Sequence, residues 1–136
     1  MAQWGIDETG LTIGFDDRDG CRVLTLTGVM DLAMLGAQER ELIGLASGAP
    51  GRATVIDLSG VQFCDSTGLG VLVRAAKSLW ELGGSLCLAA AQPWVQKIIV
   101  TSGMHLAIPL HPTPESARAA AIAAVARLDA DETPTG

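Results

Sequence analysis

The stretch from Ala53 to Val73 constrains the fold more than any other part of the chain. A short apolar run rich in β-branched residues, Ala53 to Leu58, is interrupted by Ser59-Gly60, and a second apolar patch then delivers Asp65-Ser66-Thr67 to the start of a helical pattern. The order is strand, loop, helix. Leu69, Leu72, Val73, Ala76, Leu79 and Trp80 fall on one helical face, and Arg74, Lys77, Ser78 and Glu81 fall on the other. A helix is therefore expected from about Thr67 to Leu82. Ser66 is its expected N-cap, because Asp, Ser and Thr side chains accept hydrogen bonds from first-turn N–H groups that have no internal partner. Gly68 and Gly70 in that first turn weaken the helix by about 1 kcal/mol each relative to Ala. Such a loss calls for a reason, such as close approach by another backbone or by a partner at this surface.

The positive end of this helix favours an anion, so a phosphate on Ser66 would sit in a helpful local field. The run Phe63-Cys64-Asp65-Ser66-Thr67-Gly68-Leu69-Gly70-Val71-Leu72 resembles the signature of the STAS domain, specifically that of bacterial anti-sigma factor antagonists. The resemblance implies that Ser66, directly after the Asp, is phosphorylated by an anti-sigma factor that is also a serine kinase, with Thr67 as the second candidate. It implies a partner-binding surface of Asp31, Asp65, Ser66, Thr67, Gly68 and Leu69. A serine phosphatase would reset the site, and Mg-ATP chemistry would belong to the kinase, so this chain needs no cofactor of its own.

The chain of 136 residues, 49% of them hydrophobic, suits one domain with a substantial core. A formal charge of −6 argues against nucleic acid, whose phosphates would repel such a surface. Cys21, Cys64 and Cys87 are odd in number and show no paired spacing, so neither a disulfide framework nor a thiolate metal site follows. A reducing, cytoplasmic setting fits. No apolar run is long enough to span a bilayer and the N-terminus carries no targeting pattern, so direct membrane insertion is not expected.

Taken in order, residues 1–10 read as a flexible start. Leu11 to Phe15, Asp16 to Gly20 and Cys21 to Gly28 read as strand, turn and strand. The acidic turn is not a calcium loop, because Phe15 stands at the first ligand position and no Glu closes it. Asp31 opens a helix through Leu32, Leu35, Leu42, Ile43 and Leu45 to Gly48. The resembled family usually reads Gly-Glu-apolar-Asp here; Asp31 matches its Asp, and Val29 replaces its Glu. Gly83-Gly84 ends the Ser66 helix, and Ser85 to Ala91 is a buried strand. Pro93 starts a short helix that stops at Ser102-Gly103, similar to the family's Ser-Gly-Leu with Met104 for Leu. A last strand over Ala107 to Leu110 precedes an Ala-rich helix from about Ser116 to Leu128, and Asp129 to Gly136 reads as a disordered acidic tail.

Other chemistry finds little support. Ser66 lacks a Gly-x-Ser-x-Gly elbow, and His105 and His111 are distant in sequence, so no catalytic residue is assigned. Both histidines read as exposed or internally satisfied, and their spacing with the cysteines fits no zinc pattern. Gly68-x-Gly70 lacks the rest of a nucleotide fingerprint. Cys64 reads as a buried structural thiol, and Trp80 and Trp94 read as core or edge packing. The expected architecture is one α/β domain over 11–128, a mostly parallel sheet with an N-terminal hairpin, covered by about four helices. The expected function is a phosphorylation-controlled binding switch that sequesters an anti-sigma factor and frees a sigma factor. The alternatives are a STAS regulatory subunit of a lipid or anion transport complex, and a small-ligand-binding module.

Overall fold

A computed structural model describes residues 10–132. Apart from Gly10, the expected flexible start lies outside the described residues. Five strands, β1 (Leu11–Arg18), β2 (Cys21–Met30), β3 (Ala53–Cys64), β4 (Ser85–Ala89) and β5 (Leu110–His111), form one sheet in the order β1-β2-β3-β4-β5. The β1/β2 pair is antiparallel and every later pair is parallel. The helices are α1 (Ala37–Ser47), α2 (Ser66–Glu81), α3 (Pro93–Ser102) and α4 (Pro114–Glu132).

Because β2, β3, β4 and β5 advance in one direction across the sheet, right-handed crossovers place the three connecting helices on a single face. The core follows that rule. Leu42 and Ala46 of α1, Val71, Leu72, Ala75, Ala76 and Leu79 of α2, and Val95 and Ile99 of α3 bury with Leu24, Leu26, Ile56, Leu58 and Leu88 of the sheet. On the opposite face α4 stands alone, packing Ala117, Ala121 and Val125 onto Cys21, Ala53, Val55, Cys87 and Ala89. Small side chains at the i, i+4 and i+8 positions let α4 lie close to the strands. The fully buried Thr54 is satisfied by donating from Oγ1 to the Ala46 carbonyl at 2.9 Å.

Several boundaries differ from the sequence expectation, each for a physical reason. Ser59-Gly60 does not end the strand: β3 continues to Cys64, and its register against β2 slips between Thr25 and Thr27 and again between Gly28 and Val29. The extra residues are absorbed as bulges, and a Cβ on Gly60 would lie 2.9 Å from the Leu26 carbonyl oxygen, so glycine here serves close strand approach. The helix expected after Asp31 is divided. Asp31 caps a single 3₁₀ turn, Leu32–Met34, and extended Leu35 followed by Gly36 at φ 92° separates that turn from α1. The last strand lies at Leu110–His111 and not over Ala107 to Leu110. Finally, α4 runs through Glu132, and Arg52 holds Asp129 with both carboxylate oxygens at 2.8 Å, so the acidic end does not leave the fold at Asp129.

All three thiols are buried, and burial pushes Cys21 up to about 11 and Cys64 up to about 12, with Cys87 raised for the same reason. A folded-state pKa above the unfolded one means that the native protein keeps its proton where the unfolded chain has lost it. Stability from these thiols is therefore complete below pH 9 and falls as pH rises from about 9 towards 12. We expect the denaturant midpoint to be flat between pH 7 and 8.5 and to decline above pH 9, with the decline reduced in a Cys21→Ala, Cys87→Ala variant. Equal alkaline declines in the two proteins would contradict this.

Candidate switch site

The site is built at the carboxyl ends of two neighbouring parallel strands, where open α/β sheets present their exposed loops. Met30 of β2 is in register with Cys64 of β3, so the next residues, Asp31 and Asp65, leave the sheet side by side. The Asp65 N–H donates to the Met30 carbonyl at 3.2 Å, which fixes the two exits to each other. Each carboxylate then starts a helical turn. Asp31 Oδ1 accepts from the Ala33 N–H at 3.0 Å, and Asp65 Oδ1 accepts from the Gly68 N–H at 3.1 Å.

The second bond corrects the sequence reading: Asp65, not Ser66, is the N-cap of α2. Asp65 has the extended backbone of a cap, at φ −106° and ψ −172°, and Ser66 is the first helical residue. The displacement matters chemically. With the cap supplied by Asp65, the Ser66 side chain is exposed and makes no hydrogen bond among the described residues. Its hydroxyl is available to solvent and to a partner, while Thr67 is half-buried.

Gly68 finds its reason inside the chain. A Cβ there would lie 2.6 Å from the Met30 carbonyl oxygen, 2.8 Å from Met30 Cβ and 2.9 Å from Cys64 Sγ. The first turn of α2 therefore sits directly on the end of β2, and no partner is needed to explain the glycine. Gly70 is different, since its Cβ would meet only the guanidinium end of Arg74, at 3.3 Å. Cys64 is buried, its Sγ donating to the Asp65 carbonyl at 3.6 Å, and its raised pKa comes first from burial and then from the Asp65 charge. This is an unreactive thiol, as its pattern suggested.

Beside Ser66 runs a feature that the sequence reading missed. Ser66 and Leu69 of α2 and Trp94, Lys97, Ile98, Thr101 and Ser102 of α3 line an open groove of about 350 Å³. Trp94 is 56% exposed and Trp80 is 42% exposed, so of the two expected placements, core or edge, both lie outside the core. Leu32, next to Asp31, is 68% exposed, and Phe63 and Leu35 are also exposed. The groove and these side chains give the Asp31/Asp65 end of the molecule an apolar character typical of contact surfaces.

His105 and His111 come together along a second cavity, of about 530 Å³, also lined by Ala90, Gln96, Val100 and Leu110. His105 Nδ1 and His111 Nε2 are buried without hydrogen-bond partners among the described residues, contrary to the expectation that both rings are exposed or satisfied. No group of three or more His, Cys, Asp or Glu side chains is placed to hold a metal ion, and no helix is long and apolar enough to cross a membrane, among the described residues.

Comparison with known proteins bears on the family and the fold. Residues 13–117 match the STAS domain. BtrV of Bordetella bronchiseptica, named as a candidate anti-sigma factor antagonist, is 30% identical over 110 residues, covering 81% of this chain and 94% of its own. The crystal structure of an anti-sigma factor antagonist from Mycobacterium paratuberculosis superposes with a TM-score of 0.73 at 30% identity, covering 83% of this chain and 95% of that one. A sulfate transporter family protein from Wolinella succinogenes shares the fold at 17% identity, with a TM-score of 0.65 over 82% of this chain and 92% of its own.

Proposed function

The chain belongs to the STAS domain family, and we propose that within it this protein is an anti-sigma factor antagonist whose binding is switched at Ser66. Unphosphorylated, it docks the Asp31/Asp65 end and the groove beside Ser66 onto an anti-sigma factor in the cytoplasm, and so frees a sigma factor for transcription. The partner is also the serine kinase that phosphorylates Ser66, Thr67 being the poorer acceptor, and a serine phosphatase restores the binding form. Asp31, Asp65, Ser66, Thr67, Gly68 and Leu69 form the centre of the contact.

One observation carries this reading: the hydroxyl of Ser66 is exposed and unengaged at the mouth of an apolar groove, because its neighbour Asp65 performs the capping. A hydroxyl so placed can be modified without disturbing the fold, and whatever it carries lies inside any contact made there. Val29, at the usual Glu position, is half-buried and removes one charge from that surface.

Affinity capture from native cytosol with wild-type, Ser66→Ala and Ser66→Asp baits tests the reading. Recovery of a small ATP-binding, kinase-like protein by wild type and Ser66→Ala, but not by Ser66→Asp, is expected. Recovery of a transport ATPase or permease regardless of the residue at position 66 would replace this function with regulation of a transport assembly.

A further inference from the structure

We propose that, when Ser66 carries a phosphate, the Lys97 ammonium receives it across the groove between α2 and α3, so that the modified side chain lies in the groove instead of projecting into solvent. This rests on the reading of Ser66 as a phosphoacceptor and adds where the phosphate goes. Ser66 of α2 and Lys97 of α3 line one groove, together with Leu69, Trp94, Ile98 and Thr101.

The charges around Ser66 are graded in the direction this requires. On the sheet side stand two carboxylates, Asp65 immediately before Ser66 and Asp31 on the adjoining strand exit. Both repel a dianion. On the groove side the cation is Lys97, which is exposed and makes no ion pair among the described residues. Arg74, further along α2, is already bound to Glu39 of α1. A phosphate of about −1.5 to −2 charge is therefore pushed from the strand ends and drawn to α3. The lysine ammonium offers three donors on a flexible four-carbon stem, which suits charge-assisted bonds to phosphate oxygens without a preformed fork.

The pairing has a structural consequence. Phosphate and ammonium together occupy the groove over Leu69 and Ile98, the space an apolar side chain of a partner would enter. Phosphorylation then changes the shape of the docking surface as well as its charge.

The test uses the full chain with phosphoserine installed at position 66 during synthesis, so that no partner kinase is required. Phosphorus NMR follows the second ionisation of the phosphate in this protein and in its Lys97→Met, Lys97→Arg and Lys77→Met variants, each checked for an intact fold by circular dichroism. A neighbouring cation favours the dianion, so Lys97→Met is expected to raise that pKa by about half a pH unit. Lys97→Arg should keep the wild-type value, and Lys77→Met, which removes the same charge elsewhere on α2, should change it far less. Coincident titrations of wild type and Lys97→Met, or equal effects of the Lys97 and Lys77 substitutions, would overturn the proposal. Neither result would bear on whether unmodified Ser66 binds a partner, which the capture experiment decides separately.

Discussion

Gly68→Ala lowers the unfolding free energy by about 2 to 3 kcal/mol, whereas Gly70→Ala, two residues along the same helix turn, leaves it unchanged or raises it by up to about 1 kcal/mol. On helix propensity alone the two substitutions are equivalent, and both should stabilise. The difference lies in what the new methyl group meets. At position 68 it is driven against the Met30 carbonyl oxygen at 2.6 Å and Met30 Cβ at 2.8 Å, with Cys64 Sγ at 2.9 Å. Two of these atoms belong to the strand end that anchors Asp65 through its N–H, so relief requires α2 to lift off β2. At position 70 the nearest atom is an Arg74 guanidinium nitrogen at 3.3 Å, the end of a flexible side chain that can give by a few tenths of an ångström at the expense only of its exposed ion pair with Glu39. Urea unfolding of both variants is the measurement, and a stabilised Gly68→Ala protein would show that the close contact of α2 with β2 is wrong. Lifting α2 also displaces Ser66 relative to Asp31, so Gly68→Ala should reduce partner binding beyond its effect on the folded fraction.

This pair of glycines marks how far the sequence could be read. The pattern required a reason for both, and a backbone approach was the right kind of reason for Gly68, but which backbone approaches is a long-range fact that only the Met30/Cys64 register supplies. The alternation of strand and helix, the parallel sheet after a hairpin and the α2 and α3 spans were legible because apolar periodicity and Gly or Pro stops agree there. Ser59-Gly60 misled because a bulge and a turn use the same residues. Asp65 and Ser66 both cap well, and nothing local decides between adjacent candidates.

The groove beside Ser66 was not legible at all. Helix α3 carries two apolar stripes, Val95 with Ile99 and Trp94 with Ile98, and the pattern cannot say which one faces the sheet. The smaller stripe is buried, and the larger one lines the groove, with Trp94 exposed and Ile98 half-buried. A tryptophan on a doubly apolar helix, three residues before a lysine, is the signal that could have pointed to it.

If Ser66 is the switch proposed above, its phosphorylation is expected to weaken binding to the isolated partner by about 10⁴-fold, the factor needed to carry a two-state population from almost fully bound to almost fully free. One exposed ion pair supplies only about 0.2 to 1 kcal/mol, so a phosphate acting at the rim of the contact could not achieve this. Inside the groove it can, because docking would require the dianion to leave its own cation and be buried or displaced. Ser66→Asp carries one charge on a shorter stem and should weaken binding by about 10²-fold. Ser66→Ala should change it by less than about threefold, since the hydroxyl makes no bond within the described structure that its loss would break. Titration calorimetry at about 0.05 and 0.5 M salt separates the two locations. Exposed charges are screened over about 10 Å at 0.1 M ionic strength and groups buried in a contact much less, so the phosphate's effect should persist at high salt. Recovery of binding by salt would place the phosphate at the rim, and loss of binding in Ser66→Ala with an intact fold would remove Ser66 from the role of a switch.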